Sequence, residues 1–391
     1  MAKKRNPAEE IARRHVGEAR FASVEWLATR RGKPWISGHA GMADPEKGLK
    51  LPENPIYRIY SMTKPVISAL AMMLLEEGRL RLYDQVASFL PEFAAPKVIG
   101  EDGKEQPAPR TMLIEHLLTH QSGLSYGSLP DCPVAALYRT TDLRSTHAPL
   151  ADFIRTIAGL PLAFEPGSQW RYSVATDVLA RVIEVITGKP IQDVVRERVT
   201  GPLGLADTDY FVKPKQRKRI LPMFGEQDLD RIQDFPPGPQ KLIPDEVSNV
   251  YPCDDPQFGR GGYGLFSTAR DYLEIARFLA SGTAPGGKRL LSRKSVEMMW
   301  TNRIPRERFP LMIGVIGLPG FGFGLAGRVM VDPGRAFVLG GAGEFGWSGA
   351  ATTFFLIDPA EDLIFLVMSQ YLGATVPLID DMRNAIYSML D

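Results

Sequence analysis

The sequence predicts an α+β protein: an antiparallel sheet flanked by N- and C-terminal helices, with a mostly helical segment inserted between the two parts of the sheet. Three observations lead there. Runs of β-branched and aromatic residues between turn residues occur near both ends of the 391-residue chain, the pattern of strands. The middle carries apolar residues at helical spacing. Helix-like segments open and close the chain, where they can cover one face of a sheet.

Taken in order, residues 8–20 carry their charges on one side, as a surface helix does. Ala22 to Ala40 holds two short apolar runs around Arg30-Arg31-Gly32-Lys33 and reads as a β-hairpin. Residues 56–60 then lead into a helix from about Ser61 to Glu77, which Gly78 stops in the C-terminal capping position. Further helices are expected at 111–119, 150–158, 174–187, 190–198, 268–281 and 292–302. The Pro/Gly-rich, charged stretch 213–255 is too long for an ordinary connection and is expected to form a loop walling a cleft. Near the C-terminus, Phe321–Val331, Ala336–Leu339, Ala350–Ile357 and Leu363–Ser369 read as an antiparallel meander, and 377–390 as a closing helix. The simplest packing joins both ends in one sheet domain, residues 1–84 with 305–391. A mostly helical domain, 85–304, is then inserted, and the cleft between the two is a favoured place for a site.

Composition narrows the function. Apolar residues make up 44% and charged residues 23%, with a net charge of +1, so the chain can bury a core and carries no basic footprint for nucleic acid or an anionic membrane. The N-terminus starts basic but has no apolar core of a secretory signal. The apolar run Val66–Leu75, broken only by Ser68, is too short to cross a bilayer. A soluble, cytoplasmic protein acting on a small molecule is expected. The cysteines, Cys132 and Cys253, form no disulfide framework, and no His/Cys cluster has metal-ligand spacing, so neither metal nor cofactor is expected.

The run Ser61-Met62-Thr63-Lys64 carries the chemistry. Residues three apart share a helix face, so the Lys64 amine can reach the Ser61 hydroxyl. Pro65 is tolerated only in a first helical turn, which fixes the helix start near Ser61 or Met62. A serine there sits where unpaired N–H groups favour developing negative charge. It needs a base to become a nucleophile, and a neutral Lys64 can serve. Chance alone supplies about one such tetrapeptide in a chain of this length, so its companions decide its value.

Those companions occur in order along the chain: Leu117-Leu118-Thr119-His120-Gln121-Ser122-Gly123-Leu124, then Glu165-Pro166-Gly167 followed by Tyr172-Ser173-Val174, then Gly261-Gly262-Tyr263-Gly264-Leu265-Phe266-Ser267-Thr268, then Gly346-Trp347-Ser348-Gly349-Ala350. With the S-x-x-K run, the series resembles the serine β-lactamase and penicillin-binding-protein superfamily, on the branch of class C β-lactamases and family VIII carboxylesterases. The resemblance covers about residues 20 to 370. It implies that Tyr172 shares protons with Lys64 and Ser61, and that the backbone N–H groups of Ser61 and Ala350 form an oxyanion hole. It further implies that Trp347, Ser348 and Gly349 line the substrate pocket. His120 and the motif glycines read as structural.

Two departures from the pattern shift the expected substrate. Val174 stands where class C enzymes carry an amide-recognising asparagine, and Trp347 where β-lactamases carry a lysine able to bind a carboxylate. Both point from lactams towards neutral esters of short to medium acyl chains, hydrolysed through an acyl-enzyme. A β-lactamase or D-Ala-D-Ala peptidase-like amide hydrolase is the alternative, and a non-catalytic binding protein of the same fold the second. Gly123-Leu124-Ser125-Tyr126-Gly127 also spells the nucleophile elbow of α/β-hydrolases. That elbow needs a preceding strand and a later acid and histidine. The segment before it is helix-like, and His147 is the last histidine of the chain.

Overall fold

The computed structural model describes residues 6–100, 102–129, 132–141, 143, 148–226 and 240–390. A seven-stranded antiparallel sheet is built from both ends of the chain. Its strands are β1 (Ser23–Arg30), β2 (Lys33–Gly41), β3 (Phe321–Phe323), β4 (Arg328–Met330), β5 (Phe345–Gly349), β6 (Thr353–Asp358) and β7 (Leu363–Met368), in the spatial order β3-β4-β5-β6-β7-β1-β2. The N-terminal hairpin closes onto the last strand in a register that sets Trp26 opposite Val367 and Leu27 opposite Leu366.

Alternation along these strands sends side chains to two separate cores. On one face Val24, Trp26, Phe354, Leu356, Phe365 and Val367 pack with Ala8 and Ala12 of helix α1 (Pro7–Gly17), and with Leu378, Met382 and Ile386 of the last helix (Leu378–Tyr387). The first of these helices starts where the Asn6 side chain accepts the Glu9 N–H at 3.3 Å and Pro7 occupies the first turn. On the other face Phe355, Leu366, Met368 and Trp347 join the main core with the central helices.

At the centre of that core is α2 (Thr63–Glu76), of whose 14 residues 12 are buried. A helix apolar on all sides must be surrounded, and α2 is, by α6 (Ala175–Thr187), α9 (Ala269–Ser281) and α10 (Arg293–Met299). The remaining helices are α3 (Ile114–Leu118), α4 (Pro133–Thr140), α5 (Leu150–Ala158), α7 (Ile191–Val195) and the single turn α8 (Gly201–Leu203), with Leu378–Tyr387 as α11. The described residues contain no helix long and apolar enough to cross a membrane.

The structure departs from the sequence reading in several places. Phe321–Val331 is a hairpin, not one strand, because residues 324–327 turn the chain back. Residues 336–339 form no strand: β4 already pairs with β5, and Phe337 and Leu339 are 88% and 51% exposed in the 331–344 loop. Helix α4 went unread in a segment of mixed polarity. Within 213–255 the loop holds a 3₁₀ turn, Pro214–Arg219, and a short strand, Met223–Gly225, paired with Tyr371–Leu372 and Pro244–Asp245; residues 227–239 lie outside the described chain.

Candidate active site

Ser61 is the middle residue of a 3₁₀ turn, Tyr60–Met62, that runs directly into α2. Its backbone is held in an unusual shape. Tyr60 has φ +44°, a left-handed conformation that costs a non-glycine residue on the order of 1–3 kcal/mol. The surroundings compensate: the Tyr251 hydroxyl accepts the Tyr60 N–H at 3.3 Å and donates to the Leu265 carbonyl. The residue that enters the helix is thereby presented to a cleft.

Lys64, one turn on, is 97% buried. Its amine donates to Ser61 Oγ at 3.0 Å and to the Gly262 carbonyl at 2.8 Å, and lies over the rings of Tyr172 and Tyr126 at 4.8 and 5.4 Å. The amine is thus aimed at the serine by one backbone acceptor and two π faces.

The Gly261-Gly262 pair is dictated by close approach. A Cβ on Gly261 would sit 2.0 Å from the Thr176 carbonyl, and one on Gly262 would sit 2.5 Å from Asp177 Oδ2. Asp177, buried in the first turn of α6, accepts the N–H groups of Gly261 and Gly262 at 2.9 and 2.8 Å through one oxygen. Burial pushes its carboxyl above the ordinary range, against the pull of the Lys64 cation and the two N–H bonds. Sequence reading missed Asp177. Its only signal was an acid in the otherwise apolar opening of a helix five residues after Tyr172.

Tyr172 is buried three residues before α6 begins. Its hydroxyl accepts the Trp347 indole N–H at 3.2 Å, and its ring sits against His120, Tyr126 and Trp347 at 4.7, 5.5 and 5.3 Å. Burial, and then the nearby Lys64 cation, hold His120 well below the ordinary imidazole range, so at neutral pH it is an uncharged packing residue.

Strand β5 brings Trp347, Ser348 and Gly349 beside the nucleophile turn. A Cβ at Gly349 would meet the Ile59 carbonyl and Thr353 Oγ1, both at 2.3 Å, so only glycine lets the strand end approach the chain leading into Ser61. Ala350 follows at the exposed β5–β6 turn. Ser61, Tyr126, Tyr172, Trp347, Ser348, Gly349 and Ala350 all line one cleft of about 840 Å³. Its outer wall is the hairpin of Leu311–Ile313 and Ile316–Leu318. Of the site residues named from sequence, all but Lys64 line this cleft, and Lys64 is buried behind it in contact with Ser61.

The rival elbow does not assemble. Ser125 is fully buried, follows helix α3 rather than a strand, and is occupied as acceptor of the Arg171 Nε–H at 2.8 Å. His147 lies outside the described residues.

Comparison with known proteins places the chain in a family. The chain is 36% identical over 341 residues to Protein Rv1367c of Mycobacterium tuberculosis, covering 85% of this chain and 81% of that one. It is 29% identical over 383 residues to Esterase EstB of Burkholderia gladioli, covering 95% and 92%. Among solved structures, "EstCE1, a hydrolase with promiscuous acyltransferase activity" superposes with a TM-score of 0.81 at 25% identity, over 97% of each chain. The model of the Beta-lactamase family matches residues 8–386, and the chain belongs to that family of beta-lactamase-fold serine hydrolases.

Proposed function

We propose that this protein is a carboxylesterase that works through an acyl-serine at Ser61. The observation that carries the reading is the contact of 3.0 Å between the Lys64 amine and Ser61 Oγ at the floor of a largely apolar cleft. Ser61 Oγ attacks the ester carbonyl, and its proton passes to the Lys64–Tyr172 pair. The N–H groups of Ser61 and Ala350 take the oxyanion. Collapse of the tetrahedral intermediate breaks the bond to the alcohol, which leaves with the shared proton. Water then attacks the acyl-serine and releases the acid. Trp347, Ser348 and Gly349 bound the acyl pocket. In this reading the site falls between the two proposed domains, the sheet domain of 1–84 with 305–391 and the mostly helical domain of 85–304.

Ester is favoured over lactam because Trp347 donates its only side-chain N–H to Tyr172 and offers no cation to a lactam carboxylate. The similarity to EstB and EstCE1 supports ester chemistry. The test is hydrolysis of p-nitrophenyl acetate and butyrate by wild type and Ser61→Ala. Loss of turnover in the variant is expected, and undiminished turnover rejects Ser61 as nucleophile. Nitrocefin turnover matching ester turnover would contradict the preference.

A further inference from the structure

Arg328 belongs to none of the roles above. It pairs with Gly346 in the sheet, and Ser348 pairs with Phe354. Alternation therefore places Arg328, Gly346, Ser348 and Phe354 on the α11 face, opposite Trp347. Gly346 contributes no side chain beside it. The guanidinium stacks on Phe321 and Phe354, 4.6 and 5.0 Å from the ring centroids. Its Nε and Nη2 are buried and have no hydrogen-bond partner among the described residues.

The neighbouring ions do not supply one. Glu344 pairs with Arg383 and accepts the Tyr387 hydroxyl, which also donates to Asp358. Asp380 stands on the same cleft wall but forms no ion pair with Arg328. Burial lowers the Arg328 pKa only to about 10, so the side chain is a cation at neutral pH. Two buried guanidinium nitrogens without a partner are costly, and the planar fork matches a carboxylate. Arg328, Phe321 and Phe354 line the cleft, and the almost uncovered ring of Phe337 stands at its rim.

We infer that this lobe of the cleft is a binding site for a small organic acid, its carboxylate on the Arg328 guanidinium that Phe321 and Phe354 hold in place and its apolar body against Phe337 at the rim. The Asp380 carboxylate on the same wall opposes added negative charge, so one carboxylate is favoured over two. Such a carboxylate has two sources: the free acid that ester hydrolysis releases, or an acid group carried by the substrate itself.

Calorimetric titration with 4-phenylbutyrate and the uncharged 4-phenylbutanamide tests the site without relying on ester hydrolysis. Wild type is expected to bind the acid at least about tenfold more tightly than the amide, the margin of one charge-assisted contact. Arg328→Met is expected to lose that preference and Arg328→Lys to keep part of it, with circular dichroism and melting checking that each is folded. Equal binding of acid and amide by wild type, or an acid preference that survives in folded Arg328→Met, overturns the inference. If ester hydrolysis fails but the acid preference holds, the esterase reading falls and this site stands. Kinetics separate the sources. Inhibition of p-nitrophenyl butyrate hydrolysis by 4-phenylbutyrate in wild type but not in Arg328→Met supports the released acid. A KM for mono-p-nitrophenyl glutarate that Arg328→Met raises several-fold, with the butyrate ester unchanged, supports an acid-bearing substrate.

Discussion

The indole N–H of Trp347 donates to the hydroxyl of Tyr172 at 3.2 Å, and both side chains are buried. Trp347 therefore does more than wall the pocket. By filling one acceptor position of the phenol it directs the phenol's own proton elsewhere, and its ring braces that of Tyr172 at 5.3 Å. Phe323 packs edge-on against the indole at 5.1 Å and fixes its plane.

Trp347→Phe keeps an aromatic ring and removes only the donor. A neutral hydrogen bond contributes about 0.5–1.5 kcal/mol, so kcat/KM for p-nitrophenyl butyrate is expected to fall roughly two- to tenfold, mostly in kcat. A Phe variant as fast as wild type would show that the bond holds nothing the reaction uses.

Lys64 can act as a proton carrier or as a fixed positive charge, and two substitutions separate these. Lys64→Met removes both; Lys64→Arg keeps a charge that does not leave. If Lys64 moves the serine proton, both variants should lose activity by a factor on the order of 10³ or more, and both should label slowly with a fluorophosphonate probe. Arg activity near wild type would assign Lys64 a purely electrostatic role.

Much of this arrangement was legible in the sequence, for physical reasons that differ by residue. Pro65 restricts itself to a first helical turn, so it located Ser61 at a helix start before any fold was known. The apolar, β-branched and aromatic runs at both chain ends made a shared sheet the simplest packing, because an isolated hairpin cannot bury its face. Asp177 was hidden, because a lone acid at a helix start reads as a capping preference. Only the tertiary approach of Gly261 and Gly262 gives it two N–H donors. Residues 336–339 misled for the converse reason. Their apolar run has strand character, but β4 pairs directly with β5, so the run is left in the loop that joins them and Phe337 stays uncovered.

Asp177→Asn should separate stability from activity. The folded carboxyl has a raised pKa, so between its unfolded value near 3.9 and its folded value the native state binds more protons. Stability then falls as pH rises through that window, and the loss is complete above the folded pKa. Asparagine keeps an oxygen for the two glycine N–H groups and does not ionise. Its melting temperature relative to wild type should therefore be higher at pH 7 than at pH 4, while ester turnover falls because Lys64 loses a nearby negative charge. A melting difference independent of pH would sink the argument.

Gly349→Ala tests whether the strand end must touch the nucleophile turn. The added methyl would lie 2.3 Å from the Ile59 carbonyl and from Thr353 Oγ1; the threonine hydroxyl can rotate away, but the carbonyl cannot retreat without moving the backbone that leads into Ser61. Overpacking of this kind costs about 1–3 kcal/mol. The variant should melt lower and lose ester turnover by more than its unfolded fraction explains. Full activity in the folded variant would show that the approach is not needed.

The acid limb of stability is expected to depend on His120. It is buried among Tyr172, Trp170 and Phe323 rings, with Ser173 Oγ 3.4 Å from Nδ1. Burial first, and the Lys64 cation second, depress its pKa well below 6.5. Between the folded value and the unfolded one the unfolded chain binds more protons, so stability is intact above about pH 6.5 and declines as pH falls towards the folded pKa. His116 also titrates low, because of its own burial, but it remains in wild type and variant alike and cancels in their difference. His120→Phe keeps the aromatic packing and removes the titration. Its absolute melting temperature can move either way through lost contacts, so the informative quantity is the fall between about pH 7.5 and pH 5. That fall should be smaller in the variant than in wild type. An equal fall in both proteins would place the acid sensitivity elsewhere, with His116 the next residue to replace.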